Sequence, residues 1–258
     1  MAQQTDPSQV VPSSFLPSAL YLTWHGIGHP GDHVAPDEAR YWNPVSVFAD
    51  TLAAVPTIQA KHGIAVNMTF DDGNGSDYHH AFQLLTEHQQ TGIFFVCANR
   101  IDRPHYLSAI ELRDMHANGM TIGSHGFDHI NWSAASDVDL QREFVAARAR
   151  IEDVLGASID TASVPFGMVD RRVAQWAVNS GFKRLFTSSG GFATATSGLI
   201  PRNSIINGFD PAVDLEKLAS MRWRAQSALR DPIRRWRYWH RSTSSGPMAA
   251  LHQKTLTD

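Results

Sequence analysis

A chain of 258 residues can bury the core of one substantial domain and still carry a tail, and 43% apolar with 18% charged residues excludes an unfolded polymer. A net charge of −3 gives no reason to expect a nucleic-acid partner, and the single cysteine, Cys97, excludes an internal disulfide. Because Cys97 ends the apolar run GIFFV, it reads as a buried structural thiol rather than a nucleophile. No window approaches the roughly 18 apolar residues that span a bilayer. The opening segment lacks the basic and apolar regions of a signal peptide. The expectation is therefore a cytoplasmic protein, or an extracytoplasmic one if a leader precedes the stretch given.

In chain order, residues 1–17 read as a loose leader, 18–210 as the main domain and 211–258 as a basic tail. ALYLTW (19–24) predicts a buried strand and 45–61 a helix. IAVNMTF (64–70) is a second strand, which ends at two aspartates. A helix follows near 77–90, then strand GIFFVC (92–97), a helix near 106–118 and strand MTIGS (120–124). A long charged helix fits 136–155. Strand TASVP (161–165), a helix near 169–180, strand RLFTS (184–188) and a last strand around 200–206 complete the alternation. Such alternation implies a parallel α/β sheet, either a barrel or an open doubly wound sheet. Barrel chemistry sits at the C-terminal ends of strands. His25, Asp71-Asp72, Ser124-His125 and Phe166-Gly167 all follow strands directly, which favours the barrel.

Adjacent side chains on a strand face opposite ways, so Asp71 and Asp72 can share a site only where the strand ends. Gly73 supplies freedom for a turn there. Taken alone, Asp-Asp-Gly is also an ordinary turn. In SHGFDH (124–129), His125 and His129 lie four apart, close enough to meet across a helical turn or a loop wrapped around an ion. Imidazoles plus one carboxylate form a three-ligand set with positions left open, the pattern of a catalytic divalent ion. The spare aspartate can then take a proton from water at the ion. The neighbouring His79 and His80 read as helix surface.

TFDDG (69–73) with SHGFDH resembles the first two motifs of the polysaccharide deacetylases, the carbohydrate esterase family with NodB homology. The likeness runs over about 21–206. It implies a distorted (β/α) barrel of about seven strands. Asp71 would be the general base; Asp72, His125 and His129 would ligate a divalent metal, Zn2+ before Co2+, Ni2+ or Mn2+. The third family motif is here SVPFG (163–167), with Phe166 carrying the oxyanion-stabilising N–H and Pro165 and Gly167 beside the substrate. Ser163 replaces that motif's arginine, a departure shared with the subgroup similar to poly-N-acetylglucosamine deacetylases. Arg202 can take over the pairing with Asp71 or line the substrate site; the alternative is a surface arginine. The late acid-histidine motif is absent, and the subgroup's permuted arrangement instead implies His25, after YLTW, as the general acid; a fourth-ligand role is the alternative. Trp132 can stack on a sugar face or belong to the core.

The resemblance implies removal of N-acetyl groups from an amino sugar of a glycan, glycolipid or saccharide precursor, with release of acetate. Rival readings are an O-acetyl esterase, a hydrolase of small-molecule C–N bonds and a silent glycan-binding protein. In the tail, 222–241 holds seven arginines and one acid, Asp231, a net +6. Asp231-Pro232 reads as a helix start placing Ile233, Trp236 and His240 on one face. Tryptophans among arginines suit a peripheral membrane contact, or a helix packed on the barrel with its arginines in solvent.

Overall fold

The computed structural model describes residues 18–194 and 198–240, with side chains described as far as residue 230. The leader 1–17 and the tail beyond residue 240 lie outside the described residues. Strand β1 (Ala19–Trp24) leads to a small ribbon of β2 (Gly26–Ile27) and β3 (Trp42–Asn43), then α1 (Val45–His62) and β4 (Ala65–Phe70). A π-helical turn, Asp77–Phe82, runs into α2 (Gln83–Glu87) and is followed by β5 (Gly92–Val96), α3 (Ala109–Ala117) and β6 (Thr121–Ser124). Next come α4 (Asp137–Leu140), a second π-helical stretch Gln141–Ala146, and α5 (Ala147–Leu155). β7 (Thr161–Ser163), α6 (Arg171–Asn179), β8 (Arg184–Thr187), β9 (Phe192–Ala193), β10 (Leu199–Pro201) and β11 (Asn203–Ser204) complete the sheet. Helices α7 (Pro211–Ala219) and α8 (Met221–His240) follow.

The strands pair in the order β10-β8-β7-β6-β5-β4-β1-β11, all parallel along this path, with β9 antiparallel to β1. The predicted last strand near 200–206 is two short strands at opposite ends of this order, β10 beside β8 and β11 beside β1. The chain crosses between the two edges at Arg202, so one residue spans the seam of a nearly closed barrel. The long strands β1, β4 and β5 each end in three consecutive buried residues, because helices cover the outside while side chains fill the inside. Trp24, Phe48, Phe70 and Phe94 form one continuous run of aromatic contacts within this core, the first two edge-to-face and the last stacked.

Two local expectations are corrected. The helix predicted near 77–90 opens with a π-turn, as does the middle of the 136–155 helix. The helix expected to start at Asp231-Pro232 starts ten residues earlier, at Met221, and runs through Pro232 to His240. A proline's missing N–H removes one hydrogen bond from an interior turn without forcing a stop when flanking turns hold.

Candidate active site

The two aspartates meet because the backbone reverses at the second of them. Asp71 continues β4, donating its N–H to Trp24 O at 3.0 Å. Asp72 has φ 77°, ahead of Gly73 at 70°. The turn expected at Gly73 therefore begins one residue earlier, in a conformation an aspartate tolerates and most side chains do not. Asn74 then fastens the turn to β1, donating from Nδ2 to His25 O at 2.5 Å.

The histidine loop after β6 is shaped by Glu143, which is buried at the second π-helical stretch. Its carboxylate accepts from the N–H groups of Phe127 (3.0 Å) and Asp128 (2.8 Å) and from the indole of Trp132 (2.9 Å). Gly126, at φ 85°, leaves room for this carboxylate: a Cβ there would lie 2.1 Å from Glu143 Oε2. The folded loop carries His129, itself at φ 58°, back to within 5.0 Å of His125, ring centre to ring centre. π-Turns often mark functional sites, and both of this chain's described π-turns adjoin the site.

Asp72, His125 and His129 each offer one donor atom within 4.8 Å of the others, the one such group among the described residues. His129 Nε2 lies 3.3 Å from Asp72 Oδ1, and His125 Nε2 3.9 Å from the same oxygen. His125 Nδ1 is 2.9 Å from Ser163 O, and a carbonyl accepts only from N–H. That contact assigns the proton to Nδ1 and leaves the Nε2 lone pair facing the group. Burial drives the His129 pKa down to about 4 against the pull of Asp72, so its ring is neutral too. Two neutral imidazoles and one carboxylate fit a divalent transition metal. His25 is not one of this group.

Asp71 stands beside the triad in a different environment. Burial pushes its carboxyl pKa up, but Arg202, His125 and His25 together outweigh this and hold it far below the usual carboxylate range. Arg202 makes the main contribution, with Nη1 to Oδ1 and Nη2 to Oδ2 both at 2.7 Å. The same Nη2 donates to Ser163 Oγ at 2.6 Å. Ser163, which stands where the resemblance leads one to expect arginine, thus becomes a partner of an arginine arriving from the barrel seam. Phe95 and Phe186 flank the guanidinium. Arg202 has no solvent exposure, so it is neither a surface residue nor within reach of substrate. Its place in substrate binding is corrected to one behind Asp71.

His25 Nε2 lies 3.9 Å from Asp71 Oδ2, and its ring lies 4.8 Å from that of Tyr41. These groups line a cavity of about 570 Å3 with Glu38, Arg100, Tyr106, Val164 and Phe166. Phe166 is exposed and rests on His129 at 4.8 Å. Pro165 and Gly167 are not among the lining residues: Pro165 is buried and the Gly167 N–H closes a turn onto Val164 O. Trp132 is fully buried with its N–H on Glu143, so a sugar cannot stack on it. His79 is exposed, 3.6 Å from Glu111. Cys97 is buried and its pKa is raised well above normal by burial, as suits a structural thiol.

Sequence reasoning missed several lining groups, Glu38, Tyr41 and Arg100 among them. Tyr41 and Glu38 come from the 28–41 loop, which has no periodic pattern. Arg100 donates to Asp72 Oδ1 at 2.9 Å, from a turn whose sequence shows no motif.

The fold and the site define an α/β-barrel protein in which Asp72, His125 and His129 could together hold a metal ion, beside the separately held carboxylate of Asp71. Residues 59–185, just under half of the chain, match the polysaccharide deacetylase family model, so this segment is similar to a polysaccharide deacetylase domain. Among curated relatives, YxkH of Bacillus subtilis, which bears a polysaccharide deacetylase name, is 23% identical over 52% of this chain and 48% of its own. The chain spans about half the length of that relative and under a third of the others it matches. Among solved structures, the Streptococcus pyogenes deacetylase PplD superposes with a TM-score of 0.68 at 18% identity, over 79% of this chain and 99% of its own. IcaB from Ammonifex degensii superposes at 0.66 and 19% identity, over 79% and 96%. At these identities the structural likeness establishes the fold.

Proposed function

We propose that the chain is a metal-dependent deacetylase that removes N-acetyl groups from an amino sugar within a glycan, glycolipid or saccharide precursor. The observation that carries this reading is the division of labour between adjacent aspartates. Asp72 faces two neutral imidazoles, while Asp71, 3.8 Å from His125 Nε2, is kept ionised by Arg202 and free of the triad's work. The bound divalent ion would polarise the acetamide carbonyl and acidify water. Asp71 accepts the proton of the attacking water. Its Arg202 fork fixes the carboxylate plane and keeps the group charged at any working pH, at a cost in basicity. His25, which lines the same cavity with Nε2 3.9 Å from Asp71 Oδ2, would protonate the departing nitrogen. In this reading the Phe166 N–H would be the donor to the carbonyl oxygen, where negative charge develops. Acetate and a free amine result.

The altered third motif and a histidine at the end of the first strand support placement near the poly-N-acetylglucosamine deacetylase type. The test is acetate release from N-acetylglucosamine oligosaccharides, with O-acetylated sugars in parallel, by protein reconstituted with Zn2+ or Co2+. The expected result is turnover of the N-acetyl substrates and a loss of roughly 10²–10⁴-fold in Asp71→Asn, with metal affinity retained. Turnover confined to O-acetyl sugars, or undiminished in Asp71→Asn, would refute the reading.

A further inference from the structure

Each aspartate of the TFDDG turn is paired with an arginine. Asp71 holds Arg202 in the core, and Asp72 holds Arg100 at the cavity wall, Nη1 to Oδ1 at 2.9 Å. The second pair bears directly on the triad. Oδ1, which accepts from Arg100, is the same oxygen that lies 3.3 Å from His129 Nε2 and 3.9 Å from His125 Nε2. Burial pushes the pKa of both imidazoles down, so Arg100 is the standing cation beside this oxygen.

Arg100 is fixed relative to the histidines. It ends the turn Ala98–Arg100 after β5, which is fastened to the histidine loop by Ala98 N–H to Gly126 O at 2.9 Å and Asn99 N–H to Phe127 O at 3.1 Å. Asn99 Nδ2 also donates to Asp128 Oδ1 at 2.8 Å. The guanidinium lies 5.0 Å from the Tyr106 ring centre, and the side chain is 24% exposed. It can therefore give up part of its contact with Asp72 to an incoming ion without becoming a buried unpaired charge. A ligand oxygen that already accepts from a guanidinium has less charge to offer a divalent ion, and the ion meets a positive charge close by. The Asp71–Arg202 and Asp72–Arg100 pairs also cancel, so they supply no net negative charge to attract a cation.

We propose that Arg100 competes with the metal for the Asp72 ligand oxygen and lowers the affinity of the site for a divalent ion. This rests on the metal-dependent reading of the site given above.

The experiment is titration of the chelator-stripped full chain with Co2+, read by its visible spectrum and by Tm, in the native protein and in Arg100→Met, Arg100→Gln and Arg100→Lys. The expected result is Co2+ binding at least about tenfold tighter in Arg100→Met and Arg100→Gln than in the native protein, and within about threefold of it in Arg100→Lys, which keeps the charge. The stripped forms of both neutral variants melt below the stripped native protein, because Asp72 has lost its cation. Saturating Co2+ then raises their Tm by more than it raises the native one. An arginine that merely braced Asp72 would give the opposite sign, with weaker Co2+ binding once it is removed. Weaker or unchanged binding in either neutral variant, beside a native protein that binds Co2+, overturns the proposal and leaves the metal-dependent reading standing. A native chain that takes up no Co2+ overturns that reading, and this inference with it.

Discussion

Replacing Arg202 by methionine tests the central electrostatic arrangement, because it removes one partner of a buried pair and keeps most of the volume. Two hydrogen bonds of 2.7 Å to Asp71 and one of 2.6 Å to Ser163 disappear, and the Asp71 carboxylate is left buried with the histidines and the Ser163 hydroxyl, 3.3 Å from Oδ2, for compensation. Breaking such a pair costs about 3–5 kcal/mol. For a domain of this size, that is a fall in Tm of roughly 6–20 °C at neutral pH. The pH dependence changes sign as well. In the native protein the Asp71 pKa lies below its unfolded value, so the pair's stabilisation is complete above about pH 4 and is lost as the pH falls through the folded pKa. In Arg202→Met, burial dominates and the folded pKa rises above the unfolded one. Protonation then favours the native state, and Tm rises as the pH is lowered toward that pKa.

Differential scanning calorimetry between pH 4 and 8, with kcat/KM measured over the same range, reads both effects. The acid limb of kcat/KM is expected to move upward by at least about one unit. Arg202→Lys retains the charge without the fork and falls between the two. A Tm within about 2 °C of the native protein, with the acid limb in place, would show that Arg202 does not govern Asp71.

Three further outcomes follow from the site. Protein stripped by a chelator should bind about one equivalent of Co2+ with a visible d–d spectrum, and His125→Ala or His129→Ala should weaken that binding by at least roughly 10²-fold. Ser163→Ala should keep the carbonyl that orients His125 and so leave metal affinity unchanged, while removing the hydroxyl between Arg202 and Asp71 and lowering Tm by a few degrees. Trp132→Phe should lower Tm by roughly 3–8 °C by taking one donor from buried Glu143, with KM for a saccharide unchanged. A raised KM with an unchanged Tm would return Trp132 to the substrate site.

The alternation of strands and helices was legible because each element repeats one chemical pattern over five or more residues. Asp71, Asp72, His125 and His129 were legible because each pair is local in the chain, within one turn or one loop. What stayed hidden were relations between distant elements. Trp132 is as aromatic in a core as on a sugar, and only its fully buried indole beside Glu143 separates the two. Arg202 was named as a partner for Asp71, but nothing nearby in the chain distinguishes it from a surface arginine. Glu38, Tyr41 and Arg100 lie in irregular segments with no period to read.

From its amino acids alone, then, this protein reads as an α/β chain with a candidate metal-ligand set and a spare carboxylate at its strand ends, because those features depend on neighbours within a few residues. Closure of the barrel decided the rest. β10 and β11 flank opposite edges of the sheet, and the single residue between them is thereby carried across the seam into the core. There Arg202 finds Asp71, more than a hundred residues away, and a buried guanidinium needs a carboxylate that only the tertiary fold can bring to it.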